Sequence, residues 1–123
     1  MNGFFIPKEL ADKLKAKGYP MPTNVVYATY KRDGKLCPMK IVGETISKES
    51  VAPTIEQVLK WLREEKKLFV EPSLFKYGYE SYIQSTTFED DKDYTDTWYV
   101  EGFYSTYEQA ALAGIEYVID NLI

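Results

Sequence analysis

The dipeptide Asp33-Gly34, set between two stretches of alternating polarity, constrains this chain's fold more than any other local feature. Asp-Gly signals a two-residue type I′ hairpin, because both central positions of that turn need positive φ. Such a turn sets Tyr30 opposite Cys37, Ala28 opposite Met39 and Val26 opposite Ile41, giving one continuous apolar face. On the other side Lys31 faces Leu36, Thr29 faces Pro38 and Tyr27 faces Lys40, a mostly polar set. Pro38 has no N–H to give to a ladder, which places the second strand at a sheet edge.

Three helices are predicted around this hairpin. The first follows Pro7, a favoured first helical position, and stops at Gly18 ahead of Pro20 and Pro22. Its apolar stripe is thin: Leu10, Ala11 and Leu14. The second opens on Thr54 and Gln57 at capping-box spacing. Ile55, Val58, Leu59 and Leu62 then define a buried face, Trp61 flanks it, and Arg63 to Lys67 form a solvated end. The third occupies the C-terminus, with overlapping boxes at Ser105/Glu108 and Thr106/Gln109. Ala111, Ile115, Val118 and Leu122 make its stripe, widened by Leu112 and Ile119. Gly114 costs a helix interior about 1 kcal/mol relative to alanine, so close packing on a sheet is its expected justification.

Strands are expected at Leu68–Glu71, ending at Pro72, and at Tyr79–Phe88 and Thr97–Tyr104, the last two joined by a polar loop over Glu89–Tyr94. Val42–Ala52 reads as loop. Alternation sends Ile83, Trp98 and Val100 to the core, with Gly102 leaving room for the final helix. Tyr82, Tyr99 and Phe103 then point the other way, beside Glu80 and Glu101. The expected fold is α+β: one domain over residues 1–123, an antiparallel sheet of about five strands with helices on one face, in the order α-β-β-α-β-β-β-α.

Composition then limits the chemistry. There is no histidine and only one cysteine, so Ser-His-Asp and Cys-His nucleophile arrangements cannot be assembled, and neither can a Cys/His zinc site. No cofactor or metal is expected. Cys37 has no internal disulfide partner, the N-terminus lacks a positively charged leader, and no run is long enough to span a bilayer. A cytoplasmic protein without membrane contact is expected. Tyrosine is abundant at eleven residues; it suits half-buried sheet faces, and an aromatic binding surface is the other reading. The net charge of −4 is uneven, with +4 over residues 1–50 and −8 over residues 51–123. An acidic surface repels phosphate backbones, which disfavours direct nucleic-acid binding.

Two stretches, Ala52 to Glu64 and Thr106 to Glu116, taken with Glu9-Leu10-Ala11 and Lys17-Gly18-Tyr19, carry a likeness. In order and across nearly its whole length the chain resembles a family of short uncharacterised proteins from gut anaerobic bacteria and their phages and mobile elements. The resemblance implies a small domain and carries over no activity, ligand or catalytic residue. The C-terminal strand–strand–helix with Thr106-Tyr107-Glu108-Gln109-Ala110 is superficially similar to the HicB-type antitoxin module, whose short pattern the N-terminal half does not follow.

The candidate sites are few. Asp91, Asp93 and Thr95 have the spacing of an EF-hand start, but Asp96 stands where that loop needs glycine and Gly102 where it needs the bidentate glutamate. A solvated hairpin loop fits better. Glu80 and Glu101 are the best carboxylate pair for a hydrolase, which needs no histidine. Cys37 reads as an inert buried thiol, and Lys31, Arg32 and Lys35 as a solubilising turn. The leading expectation is a non-catalytic binding or interaction module whose face comprises Tyr82, Tyr99, Phe103, Glu80 and Glu101, meeting a protein partner or a second copy. Two alternatives remain: an acidic accessory protein of a phage or mobile element that inhibits a nucleic-acid enzyme, and a hydrolase built on the two glutamates.

Overall fold

The computed structural model describes residues 4–21, 28–38, 51–89 and 92–123, apart from the side chains of residues 38, 86–89 and 92–95. The chain divides into two compact units, Met1–Ile55 and Glu56–Ile123, each with its own three-stranded antiparallel sheet. The class is α+β as expected, but the single sheet of about five strands is replaced by two sheets of three. Among the described residues no helix is long and apolar enough to cross a membrane.

In the first unit α1 spans Lys8–Ala16 and buries the expected Leu10, Ala11 and Leu14. Pro7 sits one place before the first helical residue, in extended conformation. The helix stops at Gly18: the Tyr19 N–H donates to the Leu14 carbonyl and the Gly18 N–H to the Lys15 carbonyl, the two bonds of a Schellman ending. Strands β1 (Ala28–Tyr30), β2 (Leu36–Pro38) and β3 (Val51–Ala52) form the sheet in the order β2-β1-β3. Pro38 therefore does lie on an edge strand. β3 corrects the end of the Val42–Ala52 loop, because Val51 and Ala52 pair with Thr29 and Ala28. Residues 42–50 lie outside the described residues.

The hairpin forms with its register moved by one residue. Tyr30 pairs with Leu36, Thr29 with Cys37 and Ala28 with Pro38. Gly34 takes φ +85°, whereas Asp33 is not among the residues with positive φ, so a type I′ turn cannot form. Instead Gly34 N–H donates to the Lys31 carbonyl and Lys31 N–H to the Lys35 carbonyl, closing a three-residue loop with a left-handed glycine. Asp33 Oδ1 accepts from the Lys35 N–H at 2.9 Å and holds the turn. The shift turns Cys37 off the Tyr30 face and leaves it only half-buried, which corrects its reading as a buried thiol. The expected pairings that use Val26, Tyr27, Met39, Lys40 and Ile41 lie outside the described residues.

Helix α2 spans Ile55–Trp61, all but its first residue in the second unit, and continues as one π-helical turn, Leu62–Lys66, ended by Lys67 at φ +56°. Val58, Leu59 and Leu62 are buried, as their spacing demands. Strands β4 (Leu68–Phe75), β5 (Gly78–Glu89) and β6 (Lys92–Tyr104) form a meander in the order β4-β5-β6. β4 runs through Pro72, where the sequence placed its end; an edge strand tolerates the missing donor. The expected loop over Glu89–Tyr94 is largely strand, since Glu89 pairs with Lys92, Phe88 with Asp93 and Thr87 with Tyr94. Only Asp90 and Asp91 remain between the strands, outside the described residues.

Helix α3 (Tyr107–Asn121) packs on β4, β5 and β6. Of the two possible starts Thr106 is the cap: its Oγ1 accepts from the Gln109 N–H, while the Gln109 side chain accepts from the Ser105 N–H. Ala110, Ala111, Gly114, Ile115, Val118 and Ile119 are buried. Val70, Ile83 and Trp98 form one cross-strand row beneath the helix, and Pro72, Ser81 and Val100 the next. Gly114 touches the sheet so closely that a Cβ there would lie 2.5 Å from both Ser81 Oγ and Val70 Cγ1. Gly102 does not make room for the helix. It is exposed at φ +108°, and a Cβ there would come only within 3.9 Å of the Tyr104 hydroxyl.

Candidate interaction face

Because side chains alternate along a strand, the residues between the helix-facing positions line the opposite face of the second sheet. Glu71, Tyr82 and Tyr99 form its central row, in direct register across the three strands. The Tyr82 and Tyr99 rings meet edge to face, with centroids 5.0 Å apart and planes at 81°. Phe75 closes on Tyr82 from the β4 side at 5.8 Å and 70°. These are the preferred aromatic geometries, and each such pair contributes roughly 0.5–1.5 kcal/mol beyond area burial. Tyr82 is thereby half-buried, whereas Tyr99 keeps 64% of its surface exposed.

Phe103 does not join that cluster. Tyr79 pairs with Tyr104 and Ser81 with Val100, so three residues of β6, Glu101 to Phe103, oppose the single Glu80. Such a bulge bends its strand and re-aims side chains. Phe103 meets Tyr77 of the β4–β5 turn at 5.9 Å and 64°, and is 51% exposed. Lys76 Nζ stands 5.6 Å from the centre of the same Tyr77 ring. Phe69 and Phe75 are also exposed. The sequence reading missed Phe75 and Tyr77 because it ended the strand at Pro72; the alternation Phe69, Glu71, Ser73, Phe75 was the signal that the strand continues.

Glu80 is half-buried, and Glu101 lies exposed within the bulge. The Tyr82 hydroxyl pKa is raised, first by desolvation, then by the charge of Glu80 and by Tyr99. Elsewhere, Asp93 and Thr95 of the EF-hand-like spacing belong to β6, opposite Phe88 and Thr86, and Asp91 lies outside the described residues. Among the described residues no three acidic or thiol side chains gather as metal ligands. Lys31, Arg32 and Lys35 are exposed at the hairpin tip of the first unit.

A shallow cleft wraps the β4 edge, lined by Arg63, Phe69, Val70, Glu71, Pro72, Ser73 and Tyr107. Tyr107 also meets the Tyr79 ring, at 6.4 Å and 89°. Its hydroxyl pKa is raised by desolvation and by the charges of Glu56 and Glu108, with Arg63 opposing. Neither Glu80 nor Glu101 lines this cleft. Set against family models, curated proteins and solved structures, the chain matches none of them.

Proposed function

We propose that the protein is a small non-catalytic binding module that uses the open face of the β4–β5–β6 sheet. One observation carries the reading: Tyr99 and Phe103 stay more than half exposed, Tyr99 against Tyr82 with Phe75 on the far side of that ring, and Phe103 against Tyr77. Aromatic side chains are enriched at protein interfaces. The core of this unit is filled from the other face by aliphatic residues, which leaves the exposed parts of Tyr99 and Phe103 available for contact.

The rival readings draw less support. Imitation of a phosphate backbone asks for carboxylates in a row on one surface. Glu71, Glu80 and Glu101 belong to the open-face side, whereas Glu116 and Asp120 are exposed on α3, which covers the other face. A hydrolase asks for a cleft between Glu80 and Glu101, and the cleft at the β4 edge lies elsewhere.

The test replaces Tyr82, Tyr99 and Phe103 by serine, with a milder Tyr99→Ser/Phe103→Ser variant that spares the half-buried ring. Circular dichroism monitors the fold; sedimentation and capture from host extract monitor association. A folded variant that loses association supports the reading. Unfolding of the milder variant, or unchanged association in a folded one, sinks it.

A further inference from the structure

We infer that the open face receives an arginine- or lysine-bearing segment of a protein partner, a conclusion that rests on the binding-module reading and specifies its occupant. Glu71 and Glu80 flank the Tyr82–Tyr99 pair at the alternating positions of this side, and Glu101 is exposed in the adjoining bulge, two residues from Phe103. At the alternating positions of that face, Phe69 to Phe75 on β4, Glu80 to Gln84 on β5 and Thr97 to Glu101 on β6, there is no lysine or arginine. Arg63 reaches the β4 edge, where it lines the cleft with Phe69 and Glu71, and Lys76 in the turn stands over the Tyr77 ring at 5.6 Å. An ammonium of this chain thus occupies one end of the face in the manner a partner's cations would occupy the rest.

Ring geometry separates a cationic ligand from the alternatives. A nucleic-acid strand lays successive bases on a series of aromatic rings along a basic groove. Here the pairs meet at 81°, 70° and 64°, so they offer no continuous platform. An isolated ring face beside a carboxylate suits a guanidinium or ammonium, which is drawn to the ring's negative face and pairs with the acid. A two-fold pairing of this face with itself would bring carboxylates up to carboxylates, which disfavours a second copy.

The experiment titrates the full chain into short fluorescein-labelled Arg-Gly, Lys-Gly and Asp-Gly repeat peptides of equal length and reads anisotropy. The Arg and Lys peptides should bind, more weakly as salt is raised. A Glu71→Gln/Glu80→Gln/Glu101→Gln variant should bind about tenfold more weakly, as expected for three exposed charge pairs. A Glu64→Gln/Glu116→Gln/Asp120→Asn variant removes equal charge away from the face and should bind nearly as wild type. Should the first variant misfold, Glu101→Gln alone, at an exposed position, must still weaken binding. Equal losses in the two triple variants, equal binding of the Asp peptide, absence of binding by the basic peptides, or self-association in its place would each overturn the inference. If basic peptides fail while the serine variants still lose association, the face is an interface and only its assigned occupant is wrong.

Discussion

Replacing Gly114 by alanine tests the packing of α3 on its sheet. In a free helix the substitution helps, by about 1 kcal/mol. Here the added Cβ would come within 2.5 Å of Ser81 Oγ on β5 and 2.5 Å of Val70 Cγ1 on β4. Ordinary carbon contacts lie near 3.5–4.0 Å, so the helix must lift or both side chains must turn. The two obstacles sit on different strands, and one rotamer change cannot clear both. Lifting α3 also loosens Ala110, Ala111, Ile115 and Val118, each fully buried. An overpacking cost of about 3 kcal/mol, less the helix gain of about 1, leaves a net loss of about 2 kcal/mol. Urea unfolding followed by circular dichroism measures it, and a double-mutant cycle with Ser81→Ala and Val70→Ala locates it. The penalty should shrink in both backgrounds. A stabilised Gly114→Ala protein, or a penalty equal in all backgrounds, would refute the close approach.

Ser81 is fully buried, and its Oγ has no hydrogen-bond partner among the described residues; Ser81→Ala should be neutral or stabilising by about 1 kcal/mol, and a clear loss in urea unfolding would reveal a partner. The Tyr30 hydroxyl donates to the buried Ile6 carbonyl, so Tyr30→Phe should cost about 1–3 kcal/mol in the same assay by orphaning that acceptor; no change would mean the bond contributes nothing. Burial pushes the Tyr19 hydroxyl up to about 12 and raises that of Tyr30, with Asp12 adding to the second. A phenol whose folded pKa is raised contributes stability that is complete below the unfolded value near 10 and lost as pH climbs toward the folded value. The melting temperature should therefore fall between about pH 10 and pH 12, less steeply in Tyr19→Phe/Tyr30→Phe, and equal slopes would contradict this origin.

What was legible in the sequence was what short-range chemistry decides. In α3 the 3.6-residue spacing correctly buries Ala111, Ile115, Val118 and Ile119, whereas Leu112 and Leu122 of the expected stripe stay half-buried, and of the two capping boxes the one at Thr106 and Gln109 formed. The hairpin turn was legible in place but not in register, because Asp-Gly suits a type I′ turn and also a type I turn closed by a left-handed glycine. The φ of Asp33 separates the two, and residue identity does not encode it. β3 was hidden because its two residues, Val51 and Ala52, become strand only by pairing with β1. Pro72 reads as a stop unless β4 is known to be an edge, which is a tertiary fact. The residues around Asp93 are poor strand formers, yet pairing with β5 extends the ribbon through them.

The candidate face was partly legible for the same reason. Alternation alone sends Tyr82, Tyr99 and Phe103 to one side, but it cannot say which rings touch. Direct pairing joins Tyr82 to Tyr99, whereas the bulge around Glu101 carries Phe103 to Tyr77. The two faces of the sheet also differ in kind: Val70, Ile83 and Val100 are buried beneath α3, while the other side holds half-exposed aromatic rings among carboxylates. Sheet packing alone would account for tyrosines half-buried against neighbours, as Tyr82 is. It does not account for Tyr99, whose ring edge is partnered and whose remaining surface is open to water. That uncovered area contributes little to folding, and it is the ground on which the binding-module proposal rests.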